Sequence, residues 1–326
     1  MKVLLLCGSG SLGLKVLYCV HAMGAYVETA GSSGSDMLRY SRYSKHHKLV
    51  NFWSGSVPVP ETQDWLCRYV KEKSFDIVVP SDIESASFLA ATKNVMNLPN
   101  ALCFPCSNAE VLDTLHNKWT FAEVCRQLSI PTPTTILLES VNQLEKGLFD
   151  EVGFPLIVKP LQVEASHGVV QINSYKSLLA YVQKNSPYSQ FPLIAQSFIP
   201  GHDIDISILA VDGRILCSTV QSWIDDDILE FTSNPDMYDT AAQLIRAFHY
   251  NGLAHFDMRI DARNDKLYVL ECNPRAWTTI SASMWQGLNF VEVGISYALE
   301  GFVPPINEFA GQGRYCLPGS LLKQFF

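Results

Sequence analysis

Asp257-Met258-Arg259-Ile260-Asp261, a short polar turn, and Leu267-Tyr268-Val269-Leu270-Glu271-Cys272-Asn273-Pro274-Arg275 form the most informative stretch of this chain. The two runs read as antiparallel strands joined by the turn. Asp257 and Glu271 then lie opposite one another on one face, and Asn273, two positions beyond Glu271, projects the same way. Two carboxylates and an amide oxygen, with no histidine or cysteine among them, are a hard donor set suited to Mg²⁺. Arg275, one pleat further, is placed to oppose a phosphate or carboxylate brought to that metal. Spacing alone also allows a plainer reading, polar residues on a wet sheet face.

Upstream, from Pro192, strand patterns dominate: 193–198, an alternating run over 203–211, a turn at Asp212-Gly213-Arg214, and 215–223. A helical pattern at 236–250 leads into the strand that carries Asp257. Strand pairs flanking a helix predict an α+β domain built on an antiparallel sheet. The preceding segment opens with a helix through Phe121, Val124 and Leu128, which stops at Ile130-Pro131-Thr132-Pro133. A strand at 134–138, a helix near 140–149, the run Phe154-Pro155-Leu156-Ile157-Val158-Lys159-Pro160, hairpin material to Ile172 and a helix at 174–184 follow. An amine that ends an apolar run is held toward a site more readily than one in open solvent, which singles out Lys159; Lys118 opens a helix. The loop 162–168 (QVEASHG) ends in small residues whose N–H groups suit a phosphate.

Near the N-terminus, Lys2-Val3-Leu4-Leu5-Leu6-Cys7 precedes Gly8-Ser9-Gly10-Ser11-Leu12-Gly13 and a helical pattern that ends at Gly24. With strands at Val27, 48–50 and 76–80 and a helix at 62–73, this predicts a parallel, doubly wound α/β domain to about residue 105. The glycine spacing lets a backbone approach a pyrophosphate at a helix N-terminus. An NAD enzyme would carry an acidic residue about 20 residues on. Thr29-Ala30-Gly31-Ser32 stands there instead, with Glu28 mid-strand. A tight structural turn is therefore the preferred reading, and an NAD(P)-dependent oxidoreductase, with Arg39, Arg42 and Lys45 near a 2′-phosphate, is the alternative.

The 326 residues are 48% hydrophobic and 17% charged, enough for a sizeable core without disulfides, and unlike a disordered or fibrous chain. A net charge of −8 with no basic cluster disfavours nucleic acid and anionic membranes as partners. Nine scattered cysteines, an odd number, read as reduced thiols of a cytoplasmic protein. Cys103-Phe104-Pro105-Cys106 has no second pair to complete a zinc site and does not open a helix, so it reads as structural. The apolar run that ends at Gly8 is too short for a signal peptide or for a span of roughly 20 residues. Trp223-Ile224-Asp225-Asp226-Asp227 reads as a solvated acidic loop.

In order along the chain, Asn117-Lys118-Trp119, the run through Lys159-Pro160, Gln196-Ser197-Phe198-Ile199-Pro200-Gly201-His202-Asp203 and Leu270-Glu271-Cys272-Asn273-Pro274-Arg275-Ala276-Trp277 resemble the signature blocks of the ATP-grasp superfamily. The branch it is similar to holds carbamoyl-phosphate synthetase domains and carboxylate–amine ligases. The resemblance implies an α/β and α+β chain: a Rossmann-like pre-ATP-grasp domain (1–110), a small lid domain (111–192) and a metal- and nucleotide-binding domain (193–326). It also implies that Lys118 and Lys159 contact the phosphates of ATP, that Ser166, His167 and Gly168 lie in a lid loop, and that Asp203 bonds the ribose. Residues 195–198, with Ala195, Gln196 and Phe198, would form the adenine hinge; Asp257, Glu271 and Asn273 would hold Mg²⁺ or Mn²⁺; Arg275 would steady the transferred phosphoryl group.

The chain departs from that pattern at Ala195, where an acidic residue is usual, at the glycine-poor lid and at Thr278, where glycine is common. The activity implied is ATP-dependent ligation of a carboxylate to an amine through an acyl phosphate, on small-molecule substrates, in a monomer or homo-oligomer. A non-catalytic nucleotide-binding module is a further alternative.

Overall fold

The computed structural model describes residues 1–96, 98–99, 102–163, 167–184, 186–303 and 312–316. It divides into two compact units: Met1–Leu112 with Asp205–His255 and Asn273–Phe326, and Asp113–Ile204 with Phe256–Cys272.

The first unit holds the expected parallel sheet, in the order His47–Leu49, Tyr26–Gly31, Lys2–Cys7, Ile77–Pro80. Lys2–Cys7 pairs with both neighbours in register, Val3 against Val27 on one side and Ile77 on the other. Its side chains alternate between two cores: Val3, Leu5 and Cys7 join Val16, Leu17 and Val20, whereas Leu4 and Leu6 join Leu66, Val70, Phe88 and Leu89. A strand buried on both faces must be apolar throughout, which is why this one reads as a continuous run. Strand order reverses at Lys2–Cys7, so the carboxyl ends of Lys2–Cys7 and Ile77–Pro80 flank a switch point of the sheet.

An antiparallel meander completes this unit. Asp205 to Val211 pairs with Arg214–Asp225 through a tight turn in which Asp212 and Gly213 have φ of 48° and 71°. Arg214–Asp225 pairs in turn with Ile228–Thr232, and that strand with Gly313–Cys316. The helix Pro235–Ala247 starts where expected, its first N–H groups capped by the side chain of Asn234.

The second unit is built on a four-stranded antiparallel sheet, Thr135–Leu138, Leu193–Ser197, Leu156–Pro160, Val170–Ile172, over a core that includes Leu138, Phe149, Leu156, Val158, Leu178 and Leu193. The helix Lys118–Gln127 begins where Asn117 accepts from the N–H groups of Trp119 and Thr120. One expectation fails here. In place of a helix near 140–149 there are two short 3₁₀ turns, Val141–Gln143 and Lys146–Phe149. The Gln143 side chain takes the Glu139 N–H at 2.7 Å, and Gly147 weakens the helical alternative, so i→i+3 closure wins.

No helix among the described residues is long and apolar enough to cross a membrane. None of the nine cysteines is in a disulfide; burial pushes the Cys103 thiol up to about 11 and that of Cys106 to about 12, the reverse of a redox-active pair.

Candidate active site

The second unit gathers three of the residues read from sequence around one carboxylate. The backbone N–H of Lys118 donates to Leu161 O at 3.0 Å, which fastens the start of its helix just beyond the strand of Lys159. Both lysines are 5% exposed. Lys159 Nζ lies 3.1 Å from Glu271 Oε2, and Lys118 Nζ lies 3.6 Å from the same oxygen while donating to Val163 O at 2.9 Å. Asp257 is in side-chain contact with Glu271. The cluster carries two ammonium groups and two carboxylates, a costly set to bury, which makes it the candidate site of this unit.

The charges govern one another. Burial pushes the Glu271 carboxyl up, but Lys159 first and Lys118 second outweigh it, and the group is lowered to about 2. Burial pushes the Lys118 ammonium down by more than Glu271 and Asp257 restore, with Lys159 adding repulsion. Glu271 is thus ionised throughout the neutral range.

A second cluster of this unit surrounds the expected ribose ligand. Asp203 is exposed and pairs with Arg259, which also donates to Gly201 O at 2.8 Å and lies over the Phe198 ring at 5.8 Å. Sequence reading missed Arg259; its only signal was a basic residue two positions after Asp257. Ala195 is fully buried between Ile136 and Val158, and Gln196, 3% exposed, gives its amide to Thr135 Oγ1 at 2.9 Å. His167 is exposed and stacks on Tyr188 at 6.0 Å. Gly168 has φ +76°, and a Cβ there would stand 2.7 Å from Tyr188 Cβ. Ser166 lies outside the described residues.

In the first unit, Arg275 Nη2 donates to Asn273 Oδ1 at 3.0 Å and Nη1 to Ala276 O at 2.7 Å, so the guanidinium is held by its own strand end. A buried polar group not anticipated from sequence accompanies them: His255 stacks on Trp277 at 5.6 Å, shares a 2.9 Å hydrogen bond with Ser207 and has Nε2 3.8 Å from Asp205. Gln221 and Thr279 bond each other beside it in this unit. The alternation Asp205, Ser207 along one strand was the available signal.

The glycine turn is filled from within. Asp82 Oδ2 accepts from Gly8 N at 2.7 Å, Ser9 N at 2.9 Å and Ser81 Oγ at 2.8 Å, and its other oxygen accepts from Ser85 N at 2.9 Å. A Cβ on Gly8 would stand 2.3 Å from Glu84 Oε2, so the glycine is required by packing against the chain itself. Glu28, the nearest acid for a ribose, is 5% exposed and accepts from the hydroxyls of Tyr26 and Tyr69. The chain's own Asp82 thus takes the first two N–H groups of the turn, and Glu28 is already engaged by tyrosine hydroxyls.

Comparison with known proteins agrees with this architecture. The family model "ATP-grasp in the biosynthetic pathway with Ter operon" matches residues 189–312, and "D-ala D-ala ligase C-terminus" matches 125–234. Together the two models cover residues 125–312, where the chain is similar to ATP-grasp ligases. It is 25% identical to the D-aspartate ligase of Enterococcus faecium over 301 residues, 81% of this chain and 69% of that one. It is 22% identical to the arginine-specific carbamoyl phosphate synthase large chain of Halalkalibacterium halodurans over 52% of this chain. The match spans 17% of that synthase, and 10% and 20% of two further long relatives. The L-amino acid ligase from Bacillus licheniformis superposes with a TM-score of 0.69 at 19% identity, over 92% of this chain and 74% of that one, which shows the fold.

Proposed function

We propose that this chain is an ATP-dependent ligase that joins a carboxylate to an amine through an acyl phosphate. The observation that carries the reading is Glu271 held between two buried ammonium groups, 3.1 Å from Lys159 and 3.6 Å from Lys118, with Asp257 in contact. Two positive and two negative groups balance one another. A polyphosphate carrying a divalent cation exchanges both halves at once, lysines turning to phosphate and carboxylates to metal. Glu271 and Asp257, with Asn273 two residues further along the chain, would hold Mg²⁺ or Mn²⁺, since all are hard oxygen donors. Bound there, the ion would draw charge from the β- and γ-phosphates.

In this reading the substrate carboxylate attacks the γ-phosphorus, the bond to the β-phosphate oxygen breaks, and ADP leaves. The amine then attacks the acyl carbon, phosphate departs, and nitrogen loses a proton. Lys118 and Lys159 oppose phosphate charge, Arg275 steadies the transferred group, residues 166–168 cover it, 195–198 lie against adenine, and Asp203 takes the ribose. The division into 1–110, 111–192 and 193–326, and residence in the cytoplasm, belong to the same proposal.

The test pairs amino acids with small carboxylates, follows ADP release, and identifies the product by mass. Mg²⁺-dependent ADP formation with an amide product is expected. No ADP with any pair would overturn the ligase reading in favour of a non-catalytic nucleotide module. Stabilisation by NADPH and not by Mg²⁺·ATP would instead restore the oxidoreductase, against which the carboxylate of Asp82 in the glycine turn argues.

A further inference from the structure

Arg259 does more than pair with a surface acid. Its Nη1 donates to Asp203 Oδ1, its Nη2 to Gly201 O at 2.8 Å, and its guanidinium lies 5.8 Å from the centre of the Phe198 ring. One side chain thus touches Phe198 and the first residues of the strand Gly201–Val211, across the 198–200 loop. The loop backbone is pressed against the same strand: Ala262 N donates to Pro200 O at 2.8 Å, and a Cβ on Gly201, whose φ is +153°, would stand 1.8 Å from Ile260 O.

Stability is a poor reason for this arrangement. The Asp203 side chain is 65% exposed, and exposed ion pairs contribute little. Arg259 Nε is buried with no acceptor among the described residues, a cost that a methionine or lysine would not incur. What the guanidinium offers is a rigid fork that meets a carbonyl and a carboxylate in fixed geometry while presenting a flat face to an aromatic ring. It engages Oδ1 of Asp203, and a carboxylate accepts several donors, so Oδ2 remains for a hydroxyl.

We propose that Arg259 is the positioning residue of the nucleoside subsite, fixing the Asp203 carboxylate for ribose hydroxyls and the Phe198 ring beside the base. This rests on the ligase reading above. Lysine at this position keeps the charge and loses the fork, so it should not substitute.

Calorimetric titration of ATP and 2′,3′-dideoxy-ATP with Mg²⁺ into wild type, R259K, R259Q and K159A tests it. Wild type should prefer ATP on the order of ten-fold, the value of hydrogen bonds to a charged group. R259K and R259Q should bring the two nucleotides within about two-fold, a coupling that simple destabilisation does not produce. KM for ATP should rise in both while kcat holds. K159A should weaken both nucleotides alike and keep their ratio. An undiminished ratio in R259K and R259Q, or none in wild type, overturns the inference. If R259Q does not fold, R259K carries the comparison. Failure of wild type to bind any nucleotide sinks the ligase reading itself, a distinct result.

Discussion

Lys159 and Glu271 lie 112 residues apart in the chain and meet at 3.1 Å, and the same Glu271 oxygen stands 3.6 Å from Lys118. One carboxylate therefore serves two buried ammonium groups. Changing it removes the nearest carboxylate from both, with Lys118 keeping its bond to Val163 O.

Glu271→Gln should accordingly lose stability as well as catalysis. Shape alone would make it a silent replacement, but two lysines at 5% exposure are left facing a neutral amide. A loss of about 3 kcal/mol in urea denaturation at pH 7 is expected, together with loss of Mg²⁺-dependent ADP formation by orders of magnitude. Full stability and full turnover in this variant would return Glu271 to the status of an ordinary sheet residue.

Acid should reveal the same group in wild type. Glu271 titrates at about 2 in the fold, below its ordinary value, so between the two values the unfolded chain binds more protons than the native one. Its contribution is complete above roughly pH 4.5 and drains away as pH falls toward about 2, at most about 3 kcal/mol in total. Denaturation midpoints measured across that window should fall in wild type and stay flatter in Glu271→Gln. Parallel curves would contradict the assignment.

On the alkaline side Lys118 is the sensitive member. Burial holds its ammonium below the ordinary lysine value, so rising pH removes this charge before it removes that of exposed lysines. Affinity for ATP should decline as pH is raised from 7 toward 10, and Lys118→Arg, which keeps its proton, should decline less. Identical profiles for the two proteins would place Lys118 outside the phosphate site.

Asp82→Ala removes a 4% exposed carboxylate that accepts from Gly8, Ser9, Ser81 and Ser85. Several buried donors lose a charged acceptor at once, and about 3 kcal/mol of stability should go with them. Urea denaturation measures it. A variant as stable as wild type would mean that water satisfies these groups equally well.

The legible parts of the chain were those whose cause is local. Lys2–Cys7 is apolar because it is covered on both faces, and the helix that follows repeats at the helical period; both signals lie within a few residues. The region near 140–149 misled because it closes its turns with i→i+3 bonds and a glutamine side chain, which hydrophobic periodicity does not record. Lys159, Asp257 and Glu271 each stand out in the sequence, but the approach of Lys159 and Lys118 to one Glu271 oxygen depends on sheet assembly. Arg259 escaped because its partner Asp203 lies 56 residues earlier, and nothing in either residue's own neighbourhood announces the other.

The carboxylate in the glycine turn has a consequence for how such turns are read. A spacing of glycines records only that a backbone is able to approach an anion closely; it is silent about where the anion comes from. Here the occupant is Asp82, tethered by the chain 2.7 Å from Gly8 N. A tethered group has an effective concentration, on the order of millimolar or above, that a freely diffusing cofactor must outcompete. The first two N–H groups of the turn therefore already hold an anion supplied by the chain itself, and here the glycine spacing serves an internal contact.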